Sequence, residues 1–163
     1  MSLWVRVMDF KGVPAINDST VKRSGRQYLI HNFGAISKSI DVRLVNKNGK
    51  TTFTIYAGMD QNNSWIKNSN DSVTLKHEQG HFDICEIYAR TLRKELLKAT
   101  SLQEARDLYD KISNEENLEQ DIFDNENTFE LGGITPQWQE LIKERLKALE
   151  KYENPVVILP IYK

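Results

Sequence analysis

The sequence predicts an α+β domain in which helices pack on one side of a small antiparallel sheet. Three observations carry that expectation. The first third is rich in β-branched and aromatic residues, Asn48-Gly49 stands between two strand-like runs, and three helical patterns follow one another from about residue 72. Strands that precede the helices, rather than alternating with them, separate α+β from α/β. With 163 residues and 39% apolar content, the chain suits one domain spanning 1–163, without internal repeat or linker.

The text is strand-like from Trp4 to about Tyr56. Arg26 to Phe33 and Asp41 to Asn46 are its richest stretches, and Thr51 to Ala57 alternates as the partner strand across the Asn48-Gly49 hairpin. Residues 58–72, with Asn62, Asn63, Ser64, Asn68, Ser69, Asn70 and Asp71, read as loop around an embedded Trp65. A long central helix is predicted from about Ser72 to Ala99. A second opens with the capping box Ser101-Leu102-Gln103-Glu104 and continues through Leu102, Ala105, Tyr109 and Ile112. Thr135-Pro136 starts a third, carrying Trp138, Leu141, Ile142, Leu146 and Leu149 at helical spacing. Val156 to Ile161 is expected as a last short strand or extended segment, which Pro155 and Pro160 confine to an edge.

The central helix contains the one stretch that implies chemistry directly. His77-Glu78-Gln79-Gly80-His81 is the HExxH pattern, whose two histidines lie one turn apart on the same face and can share a Zn²⁺. Glu78, about 100° around the helix, is then the general base for a zinc-bound water. The register supports this. With His77 at zero, His81, Ile84, Cys85 and Tyr88 fall near about 40°, 340°, 80° and 20°, while Asp83, Glu86 and Arg90 fall on the expected solvent side near about 240°, 180° and 220°. Two imidazoles on an apolar stripe, in a chain with only three histidines, favour a metal over backbone-satisfied core histidines. Gly80 in mid-helix costs about 1 kcal/mol relative to Ala, and close approach by another group would compensate.

Charge narrows the field. With 22 basic and 23 acidic side chains, a net of −1, the chain offers no electrostatic basis for binding nucleic acid or an anionic membrane surface. No apolar run is long enough for stable membrane insertion, and residues 1–20 lack a signal-peptide core. Met1-Ser2-Leu3 could stand where a leader was removed, which the sequence does not settle; if one was, the protein is expected to be exported, periplasmic or part of the cell envelope, and otherwise its location is open. Cys85 is the only cysteine, expected as a buried structural thiol.

A catalytic zinc takes three protein ligands. Residues 113–130 hold Glu115, Glu116, Glu119, Asp121, Asp124, Glu126 and Glu130 with no basic residue, and one of these is expected as the third ligand. Glu116 and Glu119 continue the register of Ile112, while Glu126 and Glu130 precede Gly132-Gly133, where a loop could fold back onto the active helix. His31 is expected as a packed or surface histidine or an oxyanion donor, and Glu86 as a solvated charge facing away from the metal.

These residues resemble a bacterial family of uncharacterised domains, many in exported proteins, regarded as zinc-dependent peptidases of the zincin type with an HEQGHFDI core. The resemblance rests on Trp4 with Asp9-Phe10-Lys11-Gly12-Val13-Pro14, on Ser64-Trp65 with Leu75 to Ile84, on Glu86, Tyr88, Ala89 and Arg90, and on Phe123-Asp124 with Trp138. Where the family continues with Thr, one residue and His, Phe129 replaces that histidine in an ungapped reading, and with a one-residue shift Thr128-Phe129-Glu130 reproduces the spacing with glutamate in its place. The resemblance therefore implies Glu130 as the third ligand, with Glu126 next, in a His, His, Glu set. It also implies zinc-dependent hydrolysis of a peptide or protein substrate. A non-catalytic zinc-binding module and a hydrolase of non-peptide amides or esters are the alternatives.

Overall fold

The computed structural model describes residues 6–12, 19–23, 26–30, 33–128 and 131–160. Strands β1 (Ser19–Arg23) and β2 (Arg26–Ile30) pair antiparallel from Ser19↔Ile30 to Arg23↔Arg26. Then come β3 (Gly34–Ala35), β4 (Lys38–Lys47), β5 (Lys50–Met59) and β6 (Trp65–Ile66), followed by helices α1 (Ser72–Leu96), α2 (Leu102–Glu126) and α3 (Pro136–Ala148), and finally β7 (Val156–Pro160). The α+β expectation holds, with a three-stranded antiparallel sheet in the order β4-β5-β7.

Asn48 and Gly49 both take positive φ, 53° and 74°, the left-handed pair that a two-residue hairpin turn demands. The hairpin extends in register from Lys47↔Lys50 to Lys38↔Met59. β7 joins the far side of β5 and stays an edge strand, as its prolines require. Along β5 burial alternates: Thr51, Phe53, Ile55 and Ala57 point inward. Onto that face α1 lays Phe82, Cys85, Ala89, Leu92 and Leu96, and α2 adds Ala105 and Ile112. A second cluster of Ile84, Ile87, Phe123, Trp138 and Ile142 binds α3 to the other flank of α1. Cys85 is buried as expected.

Because α1 is wrapped on several sides, its predicted solvent face is a correction. Arg90 and Arg93 are buried, and the Glu86 side chain, only 13% exposed, accepts from Arg90 Nε (2.9 Å) and Arg93 Nη1 (3.1 Å). Arg93 also donates to the Ile55 carbonyl through Nε (3.0 Å) and Nη2 (2.7 Å) and to the Tyr152 carbonyl (2.9 Å), and Arg90 donates to Leu146 O (2.9 Å). The 150–153 turn and the end of α3 cover a face that helical periodicity alone assigns to water.

Boundaries differ where local bonding competes. α1 stops at Leu96 rather than near Ala99, because Lys98 and Ala99 close tighter turns onto Glu95 O and Leu96 O. Half of the capping box forms: Ser101 Oγ accepts from Glu104 N, but Glu104 reaches back to Thr100 N instead of the cap residue. Val7–Asp9 is a 3₁₀ turn, not strand, and Trp4 lies outside the described residues. The predicted loop 58–72 contains a 3₁₀ turn at Gln61–Asn63 and the two-residue β6, paired with β3. Lys11 N and Gly12 N donate to Gln61 O and Ser64 O, so the Asp9 to Gly12 stretch is stapled to this segment. No helix among the described residues is long and apolar enough to cross a membrane.

Candidate metal centre

Asp71 caps α1, its carboxylate accepting from Thr74 N (3.0 Å) and Thr74 Oγ1 (2.5 Å), and this sets where the helix starts. Two turns in, His77 and His81 are both buried, with their Nε2 atoms 3.1 Å apart. Asp124 completes the group. Its Oδ1 lies 3.1 Å from His77 Nε2 and 2.9 Å from His81 Nε2.

What brings Asp124 there is an aromatic ring against a glycine. Phe123 is fully buried and packs on His77, His81 and Trp138, with ring centroids 5.1, 4.8 and 5.2 Å away. Its Cζ would lie 2.4 Å from a Cβ at position 80, so only glycine admits it. This is the close approach that offsets a mid-helix glycine. At the end of α2, Asn127 donates to Phe123 O (2.9 Å) and accepts from Thr135 N (2.7 Å), which turns the chain into α3. The predicted fold-back of Gly132-Gly133 follows: both have positive φ, and Gly133 presents its carbonyl to His77 Nδ1 at 2.6 Å.

The hydrogen bonds decide the tautomers. A carbonyl only accepts, so His77 carries its proton on Nδ1. His81 Nδ1 meets Gln120 Oε1 at 2.5 Å, and the amide orientation is settled because Gln120 Nε2 donates to His81 O (2.9 Å) and Glu116 Oε1 (2.6 Å). In the neutral form of each ring Nε2 is then the lone-pair nitrogen, and the two Nε2 atoms face each other and a carboxylate oxygen. Three acceptors converge in a donor set that could hold a cation. A tetrahedral zinc with bonds of about 2.0–2.1 Å sets its ligand atoms about 3.3–3.4 Å apart, slightly wider than the separations here. The backbone carbonyl and amide behind the two rings are the partners that ligating histidines use.

The charge states agree. Burial alone would raise the Asp124 carboxyl, but hydrogen bonds and attraction from the two imidazoles, which donate through Nε2 when protonated, hold it well below the usual carboxylate range. Burial alone would lower His81, yet Asp124, Glu78 and Gln120 raise it, since a proton is the cation that the metal-free cluster can take. Asp124 is 57% exposed at its side chain, so the centre opens to solvent there.

Glu78 is buried beside the cluster. Burial raises its carboxyl above the usual range, against the pull of both imidazoles and the backbone N–H of Ile36, which donates to it. β3 can come this close because a Cβ on Gly34 would lie 2.6 Å from Thr74 Cγ2 and 3.4 Å from Glu78 Oε1.

Of the predicted residues, His77, Glu78 and His81 come together, and His77, His81 and Asp124 form a group that could hold a metal ion. Glu130 and His31 lie outside the described residues. Glu126 is turned away: it accepts from Trp138 Nε1 at 2.7 Å. Asp124 was within the predicted acidic set but not singled out. The signal for it was present, because Ile112, Glu116, Gln120 and Asp124 follow at successive steps of four along one stripe of α2. No protein-family model matches the chain, and neither does any curated protein or solved structure.

Proposed function

We propose that the protein is a zinc-dependent hydrolase, a peptidase of the zincin type. The observation that carries this is the convergence of His77 Nε2, His81 Nε2 and Asp124 Oδ1 beside the buried Glu78. Two imidazole nitrogens among three donors favour zinc over calcium or magnesium. Three protein donors, among the described residues, leave the open position of a catalytic site rather than the closed four of a structural one. The resemblance of Leu75 to Ile84, Ser64-Trp65 and Phe123-Asp124 to the exported peptidase family points the same way.

A zinc ion bound there would supply a Lewis acid that activates water and stabilises oxyanion charge. Glu78 then does the proton work. Desolvated and steadied by Ile36 N–H, it is a stronger base than an exposed carboxylate, and it takes a proton from the attacking water and returns it to the leaving amine. Lys67 N donates to Phe33 O (2.9 Å) on the β6 side, while the Ile36 N–H donates to Glu78. An extended peptide lying along that edge would bring its carbonyl to the cluster.

The test is direct. Reconstituted protein should hold about one zinc per chain, and Glu78→Gln should keep that zinc while losing turnover on a peptide library. No zinc after reconstitution refutes the reading, and surviving turnover in Glu78→Gln removes Glu78 as the base.

A further inference from the structure

Behind His81 a line of buried polar groups runs to the sheet. Gln120 Oε1 meets His81 Nδ1 at 2.5 Å, Gln120 Nε2 donates to Glu116 Oε1 at 2.6 Å, and the same oxygen takes Lys38 Nζ, from β4, at 2.6 Å. The Lys38 and Glu116 side chains are 14% and 6% exposed. A buried ion pair is weak support for stability, since apolar residues of similar volume often do as well or better. A mere strut between β4 and α2 would not need it.

An amide can present either its oxygen or its nitrogen. Flipped, Gln120 would offer N–H to His81 Nδ1 and force the imidazole proton onto Nε2, where it would block the metal. Two acceptors prevent this. The His81 carbonyl (2.9 Å) and Glu116 Oε1 (2.6 Å) each require one of the two amide hydrogens, so a flip would lose both bonds and set an oxygen against two oxygens. Lys38, which can only donate, matches Glu116 as an acceptor.

We propose that Lys38, Glu116 and Gln120 form a positioning relay that locks His81 in the Nδ1–H tautomer and keeps Nε2 directed at the metal. This rests on the metal-centre reading above, and two readouts separate them. In metal-stripped, ¹⁵N-histidine-labelled protein at alkaline pH, His81 should be in the Nδ1–H form. Glu116→Gln, near-isosteric but able to donate, should yield a mixture of tautomers, as should Gln120→Leu. Zinc affinity from chelator competition should fall about 10–100-fold for Gln120→Leu and less for Glu116→Gln. Wild-type tautomer and affinity in both variants would overturn the relay, as would an Nε2–H form in the unmodified protein. A tautomer change with no zinc bound by any form would sink the metal reading and leave the relay standing. If Gln120→Leu fails to fold, as circular dichroism would show, Glu116→Gln carries both readouts.

Discussion

Replacing Gly80 by Ala sets helix propensity against packing. Propensity alone predicts a gain of about 0.8–1 kcal/mol in mid-helix. The structure predicts a loss. A Cβ at position 80 would stand 2.4 Å from Phe123 Cζ, 3.0 Å from Cε2 and 3.3 Å from Cε1, where carbon atoms prefer about 3.5–4.0 Å. The ring must withdraw by about 1 Å, yet it is fully buried against His77, His81 and Trp138. Overpacking of this kind costs about 1–3 kcal/mol, so the net effect is a destabilisation of about 1 kcal/mol. The second consequence is larger. Asp124 follows Phe123 directly, and metal bonds tolerate about 0.2 Å, so a shift of α2 by about 1 Å should weaken zinc binding at least about tenfold. Urea unfolding of the metal-free protein and chelator competition measure the two effects. Adding Phe123→Leu, which removes the colliding ring atoms, should restore part of both losses non-additively. A Gly80→Ala protein that is more stable by about 1 kcal/mol, with unchanged zinc affinity, would refute this account of why a glycine stands there.

Asp124→Ala should abolish tight zinc binding in the same assay, whereas Glu126→Ala and Glu130→Ala should not; a greater loss in Glu130→Ala would transfer the third ligand to that residue. Arg93→Met leaves the Ile55 carbonyl without its guanidinium and Glu86 with one partner fewer, and should cost about 3–5 kcal/mol, read as a lower urea midpoint at constant slope. Asp71 is titratable by design of its cap. Burial would raise it, but the bonds from Thr74 prevail and lower its folded-state value, so its stabilisation is present above the unfolded value and lost as pH falls through the folded one. Asp71→Ala should therefore cost about 1 kcal/mol at neutral pH and less in strong acid, where a neutral carboxyl still accepts from Thr74 N; Asp71→Asn should remove the pH dependence, and an equal deficit for Asp71→Ala at both pH values would contradict this.

Much of the fold was legible because it is local. The Asn48-Gly49 turn, the Ser101 and Thr135 caps and the Pro-limited edge strand β7 depend on backbone preferences of a few neighbouring residues, and each stands where the text put it. The i, i+4 spacing of His77 and His81 is equally local, and so is the offset of Glu78 between them.

The rest needed contacts between distant parts of the chain. Helical periodicity assigned Glu86 and Arg90 to solvent, because a single helix cannot know that α3 and the 150–153 turn will cover its far side and leave carbonyls for Arg90 and Arg93 to bind. The acidic run 113–130 contained the third member of the cluster, but which carboxylate turns inward depends on Phe123 finding the one position on α1 without a side chain. The sequence by itself determined two imidazoles and a carboxylate on one helix. Only tertiary packing decided that Asp124 meets them, that Gly133 and Gln120 hold their tautomers, and that Ile36 holds Glu78. A donor set is built from separate elements, and their separations are set by packing, which no stretch of sequence encodes alone.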